Sequence, residues 1–248
     1  MKYHNITEAN FISRPNRFIA IVDIAGKELT VHVKNTGRCK ELLLPGSRVY
    51  LEKASNPERK TPYDLVAVEH EGRIINIDSQ APNAVVKEWL QGQQVYSKIQ
   101  PEYKYGNSRI DFYMEKDESS DIGRNESENE LNSDDLFGSS DSISTNVTKY
   151  LMEVKGCTLF RDGIGYFPDA PTERGTKHLR ELIKATQEGY KSIVAFVIQG
   201  EGIDEVRPNA ETDPEFAKAF YEAKAVGVEV LFLKCKIEKD EIYVKDVD

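Results

Sequence analysis

The run "KSIVAFVIQ" at 191–199 holds six consecutive apolar residues, Ile193 to Ile198. Read as a strand it is apolar on both faces, so both faces need cover. A sheet with layers on each side supplies that, and the flanks agree. Before it, "TKHLRELIKATQEGY" places Leu179, Leu182, Ile183 and Ala185/Thr186 at helical spacing and stops at Gly189. After it, "DPEFAKAFYEAKAVG" reads as a helix capped by Asp213, with Pro214 at its first position. "SQAPNAVVKEWLQGQ" makes a third helix with Val85, Val86, Trp89 and Leu90 on one face, Asn83 as the expected N-cap and Gly92 as the expected stop. Strands are expected in "YSKIQPEYKYG" and "SRIDFYM", joined near Gly106-Asn107, then in "YLMEVKGCTLF" and "VEVLFLKCKIEKDEIYV". From Asn83 onward the order is α-β-β-β-α-β-α-β, a sheet with helices on its faces.

The text from Phe11 to Asp78 has a different rhythm. "RFIAIVDIAG", the alternating "KELTVHVKNTG", a strand after the Pro45-Gly46 turn, and a hairpin in "YDLVAVEHEGRIINID" closed at Glu71-Gly72 give five short strands. Such a series predicts a small five-stranded barrel, with the OB-fold leading. The expected architecture is mixed α/β: an OB-like barrel over residues 1–80, then an α/β domain over 81–248.

Cys39, Cys157 and Cys235 are odd in number and far apart, so neither a disulfide framework nor a structural zinc site is expected. The first residues have no apolar stretch of the kind a secretory signal needs, and no segment reaches membrane-spanning length. The expected location is the cytoplasm, with no membrane partner. Phosphate-loop, dinucleotide and nucleophile-elbow glycine motifs are absent. The net charge of -9 argues against nucleic acid only until it is divided. Residues 1–114 carry 16 Lys+Arg against 13 Asp+Glu, 115–148 carry 2 against 10, and 149–248 carry 15 against 19. Most of the excess sits in one Ser-, Asn- and acid-rich tract at 115–148, expected to be a disordered insertion. A protein-interaction role for that tract is a lesser alternative.

Two strands carry charge where a core is expected. A period of two puts Arg109, Asp111 and Tyr113 on one face of "SRIDFYM", and Ile110, Phe112 and Met114 on the other. In "LMEVKG" it puts Glu153 and Lys155 together. If the strands are neighbours, two carboxylates and an ammonium converge. Such carboxylates repel unless a divalent cation shares them, and hard oxygen ligands suit Mg²⁺ or Mn²⁺. Glu-x-Lys occurs four times, but only at 153–155 does it lie in an apolar strand that follows an Asp-bearing one. Spacing alone leaves a metal-assisted phosphodiester site and an ordinary sheet salt bridge both open.

Five segments, "HVKNTGRCKELLLPG", "PNAVVKEWL", "NSRIDF", "YLMEVKGCTL" and "FPDAPTERGTKHLRELI", together resemble the sugar fermentation stimulation protein A family. The resemblance implies an OB-like barrel joined to a domain of the PD-(D/E)xK nuclease type. It implies DNA binding, with a regulatory role in sugar catabolism. On it, Asp111 and Glu153 become metal ligands, Lys155 the catalytic lysine, the Val154 carbonyl a further ligand, and Glu88 an additional acidic site residue. The alternative is a non-catalytic DNA-binding regulator whose nuclease site is vestigial. In the family the connection between the Asp strand and the Glu-x-Lys strand is short, and the acidic tract departs from that.

Basic residues extend the expected nucleic-acid surface. Arg14 and Arg17 flank Pro15, and Lys34, Asn35, Arg38 and Lys40 surround a glycine turn in the barrel. Arg174, Lys177 and His178 open the helix that follows Pro171, where a phosphate would find backbone N–H groups. Tyr50, Tyr63 and Phe18 are the candidate aromatic platforms. Nucleic acid, DNA first, is the expected partner, and a homodimer is among the assemblies left open.

Overall fold

The structure is a computed structural model that describes residues 1–35, 37–118 and 147–248. Its first half is a closed barrel of β1 (Ile6–Asn16), β2 (Ile19–Ile24), β3 (Lys27–Val33), β4 (Arg48–Lys53) and β5 (Tyr63–His70). Antiparallel pairings join β1 to β2 and β4, β2 to β3, and β4 to β5. A short parallel pairing, His32↔Asp64 and Val33↔Leu65, closes the ring. Closure removes the sheet edges and buries Val22, Val31, Val49, Leu51, Leu65 and Val68 inside. The barrel is five-stranded, as the sequence predicts, but its membership differs. β1 belongs to the ring, and the strand read at 72–78 is β6 (Arg73–Asn76), a hairpin extension on β5 outside it. The register of β1 slips between Phe11 and Ser13 and again before Asn16. Bulges of that kind interrupt the period of two and hide the strand from pattern reading.

The second half is built around the predicted doubly buried strand. β12 (Lys191–Ile198) lies between β9 (Val147–Cys157) and β14 (Glu229–Ile237), parallel to both. β8 (Ser108–Asp117) and β7 (Lys98–Tyr105) extend one side, and β15 (Ile242–Val247) the other. Helix α1 (Ala81–Gln93) covers one face, while α2 (Glu173–Gln187) and α3 (Pro214–Ala225) pack on the other. A small second sheet lies outside the predicted order: β10 (Leu159–Arg161), β11 (Ile164–Phe167) and β13 (Val206–Pro208). Its hairpin turns at Asp162-Gly163, both with positive φ, the pairing that two-residue hairpins favour.

Two boundaries move. α1 starts at Ala81 after Gln80, because Pro82 is tolerated in a first turn, so Asn83 is inside the helix rather than its cap. The helix also runs through Gly92 and stops where Gln94 turns left-handed. The expected insertion is shorter at both ends: Glu115↔Lys149, Lys116↔Thr148 and Asp117↔Val147 are rungs of the β8–β9 ladder. Residues 119–146, the remainder of that expectation, lie outside the described residues. Among the described residues no helix is long and apolar enough to cross a membrane, and all three cysteines are free and buried.

The barrel and the sheet share one core. Tyr3, Tyr50 and Val66 pack in the same cluster as Val85 and Leu90 of α1 and Phe112 and Met152 of the sheet. Beside it runs a buried polar seam. Asn76 Nδ2 donates to the Tyr3 hydroxyl at 2.7 Å, and Gln199 Nε2 donates to Asn76 Oδ1 at 2.8 Å and to the Asp78 carbonyl at 3.1 Å. Lys34 adds its ammonium 3.0 Å from the buried Asp78 carboxylate. Together these bonds satisfy polar groups that the docked elements bury.

Gly156 sits where β9 meets the seam. A Cβ there would come within 2.4 Å of Gln199 Oε1 and 2.7 Å of Pro82 Cγ. Gly156→Ala is therefore expected to cost about 1–3 kcal/mol by overpacking. A urea titration checks it: the midpoint falls and the slope stays constant.

Candidate functional site

β8 and β9 pair from Asp117↔Val147 to Phe112↔Met152 and then part. At the fork a side chain takes over from the ladder: Asp111 Oδ2 accepts the Val154 N–H at 2.8 Å. Asp111 Oδ1 accepts from Asn83 Nδ2 at 2.8 Å, so α1 fixes the carboxylate from the other end. The N–H and C=O of a strand residue point the same way, so the Val154 carbonyl also faces the fork. The split changes the facing of β8. Phe112 and Met114 join the core under α1, while Ile110 joins Tyr113 in the core under α2, not Phe112 as strict alternation predicts.

On β9 alternation holds. Met152 and Val154 enter the α1 core, and Glu153 and Lys155 turn toward α2. Glu153 is 2% exposed. Its Oε1 accepts from Lys155 Nζ at 2.5 Å and from His178 Nδ1. His178 Nε2 in turn accepts from Arg174 Nε at 3.5 Å, which leaves the imidazole proton on the nitrogen facing Glu153. Glu153 Oε2 is buried and has no hydrogen-bond partner among the described residues. An orphaned anionic oxygen in a dry site is costly unless something positive takes it.

The two carboxyls shift in opposite directions. Burial, and then the neighbouring Glu153 carboxylate, push Asp111 up, and the Val154 N–H, Lys155 and Asn83 offset only part of this. Burial would raise Glu153 too, but Lys155 and His178 outweigh it and hold that carboxyl below its ordinary range. Because folding raises the Asp111 pKa, the stability tied to its protonated form is lost as pH rises through the folded value. At neutral pH, Asp111→Asn removes the repulsion and leaves an oxygen for the Val154 N–H. In EDTA the variant is expected to melt above wild type by roughly 2–4 °C, for about 1 kcal/mol. Scanning calorimetry at pH 7 and at pH 4 checks it, the gap narrowing at the lower pH.

Asp111, Glu153 and Lys155 thus come together, and other expected site residues do not. Glu88 is largely exposed on α1, with its carboxylate 2.5 Å from the Met1 ammonium; Asn83 is the α1 residue that reaches Asp111. His178, expected at a phosphate surface, is buried, because it falls in the stripe of Gly175, Leu179 and Leu182 that packs on the sheet. Arg174 and Lys177 are exposed; Arg174 turns to His178, and Lys177 lies 3.8 Å from Glu181. Lys34 is engaged with Asp78 in the polar seam, and Asn35 spans the Ile77 carbonyl and the Gly37 N–H, so both are held by structural contacts. Arg14 staples its loop by donating to the carbonyls of Arg38, Arg17 and Asn35 at 2.6–2.7 Å. Arg17, Arg38 and Lys40 remain exposed and enter no ion pair among the described residues. Among those residues no group of three His, Cys, Asp or Glu side chains is placed to hold a metal, so the carboxylate pair and the Val154 carbonyl are the candidate donors.

Fold and site together define a closed OB barrel fused to a mixed α/β domain, with a buried carboxylate–lysine centre where two of its strands part. The chain belongs to the sugar fermentation stimulation protein family. The family's models match twice, as the sugar fermentation stimulation protein RE domain over residues 80–241 and the SfsA N-terminal OB domain over residues 12–77. A sugar fermentation stimulation protein homolog of Clostridium beijerinckii is 45% identical over 249 residues, covering 99% of this chain and 97% of that one. One from Desulfitobacterium hafniense is 44% identical, covering 99% and 96%. The structure of Pyrococcus furiosus SfsA in complex with Ca²⁺ superposes with a TM-score of 0.77 at 25% identity, covering 100% of this chain and 96% of that one.

Proposed function

We propose that this protein is a divalent-metal-dependent phosphodiesterase acting on nucleic acid, DNA first. One observation carries the reading: Glu153 Oε2 is buried without a partner among the described residues, in a site that Asp111 also enters. Asp111, Glu153 and the Val154 carbonyl would hold Mg²⁺ or Mn²⁺, and an ion bound there supplies Lewis-acid activation of a phosphoryl oxygen and of water. The chain's own groups do the rest. Asn83 and the Val154 N–H orient Asp111. His178 and Lys155 both grip Glu153 Oε1, which leaves Oε2 for the ligand. The Lys155 ammonium puts positive charge where a phosphodiester gains negative charge in the transition state. The Pyrococcus furiosus relative was solved with Ca²⁺, a hard cation that takes oxygen ligands, and this supports the same preference here.

A second reading, a DNA-binding regulator without hydrolysis, is favoured by the ion pairing of Glu153 with Lys155, which already offsets one charge. Labelled DNA incubated with Mn²⁺ or with EDTA separates the two. Cleavage in Mn²⁺ alone supports the phosphodiesterase; retarded but intact DNA in both supports the regulator. The melting order offers an independent check. Wild type gains stability from Mn²⁺ by mass action and overtakes Asp111→Asn, which does not gain.

A further inference from the structure

The β1–β2 turn and the β3–β4 connection enclose a pocket of about 310 Å³ lined by Arg14, Arg17, Arg38 and Lys40 over buried Cys39 and Leu43. On a chain of net charge -9, three cations in one pocket without ion pairs among the described residues are a local exception. Arg14 adds a buried Nε with no acceptor among the described residues. Of the three candidate aromatic platforms, Tyr50 is buried and Tyr63 half-buried, while Phe18 is 51% exposed beside Arg17. Its backbone is fixed: Asn16 Oδ1 accepts the Phe18 N–H at 2.9 Å, and the Phe18 carbonyl accepts the Val33 N–H at 2.8 Å. Cations for phosphates, and an exposed ring on a fixed backbone at the residue next to Arg17, are the two components of single-strand binding. A duplex keeps its base faces stacked inside and offers Phe18 nothing.

We propose that the basic pocket anchors one unpaired nucleic-acid strand, a base on Phe18 and its phosphates on Arg17, Arg38 and Lys40. The anchoring stands independently of the phosphodiesterase reading. Fluorescence anisotropy in EDTA tests the anchor without hydrolysis, using a labelled strand of about 15 nucleotides and the matching blunt duplex. The strand is expected to bind about tenfold more tightly than the duplex. Phe18→Ala should weaken strand binding by about tenfold and leave the duplex unchanged. Replacing Arg17, Arg38 and Lys40 together by Ala should reduce the log–log salt slope for the strand by about 2, at about 0.7 per phosphate contact. All four side chains are exposed, and an unchanged melting curve confirms that the variants fold. Equal affinity for strand and duplex, no measurable binding, an unaltered salt slope, or an indifferent Phe18→Ala each overturns the proposal. Wild type that anchors the strand in EDTA but leaves it intact in Mn²⁺ overturns the phosphodiesterase reading alone.

Discussion

Lys155→Ala is expected to lower Mn²⁺-dependent cleavage by about 10²–10³-fold or more, the scale on which one preorganised electrostatic group acts. The side chain is 12% exposed and its ammonium lies 2.5 Å from Glu153 Oε1, so its charge acts in a site with little water to screen it. The substitution also removes the leading influence that holds the Glu153 carboxyl below its ordinary range against burial. Glu153 then ionises only at higher pH, so residual activity should rise toward the alkaline side relative to wild type. Strand binding in EDTA should persist, because Lys155 lies outside the basic pocket. Single-turnover rates across pH measure both effects. A rate and profile matching wild type would remove Lys155 from the chemistry.

His178→Ala carries the largest expected loss of stability. The ring is buried, donates to a buried carboxylate and accepts from Arg174. Its removal leaves Glu153 with Lys155 alone and opens a cavity against the sheet, at an expected cost of about 3 kcal/mol. For a chain of this size that is a fall of roughly 6–12 °C in Tm. Because folding lowers the Glu153 pKa, its contribution is present above the ordinary carboxyl pKa and lost as pH falls through the folded value. The gap between wild type and His178→Ala should therefore narrow in acid. His178→Gln, which keeps a donor for Glu153, should recover part of the loss in EDTA. A gap that stays constant with pH would mean that His178 acts by packing alone.

Much of this was legible because the physics is local. An apolar run of six, Ile193 to Ile198, calls for cover on both faces, and β12 is the strand flanked on both sides by parallel partners. Asp111, Glu153 and Lys155 were found because charge inside an apolar strand has few cheap explanations. What escaped depends on tertiary arrangement. β1 is broken by bulges, and only Ala9 and Phe11 of it are buried. The Asp162-Gly163 turn carries a hairpin signal, but strands of only three and four residues give it no periodic pattern to flank. His178 and Glu88 show the limit for side chains. The burial of His178 could be read from its phase with Leu179 and Leu182, whereas nothing in the spacing separates Glu88 from Asn83 as the residue that reaches Asp111. Lys34 looked like a surface cation until Asp78, 44 positions away in sequence, came within 3.0 Å.

The position of a bound ion tests the central claim most directly. Anomalous scattering at the manganese edge, from crystals grown with Mn²⁺, should show a single strong peak within coordination distance of the Asp111 carboxylate and Glu153 Oε2. The peak should vanish in Asp111→Asn and in Glu153→Gln. A peak elsewhere, or cleavage that continues with no ion between those two carboxylates, would contradict the account.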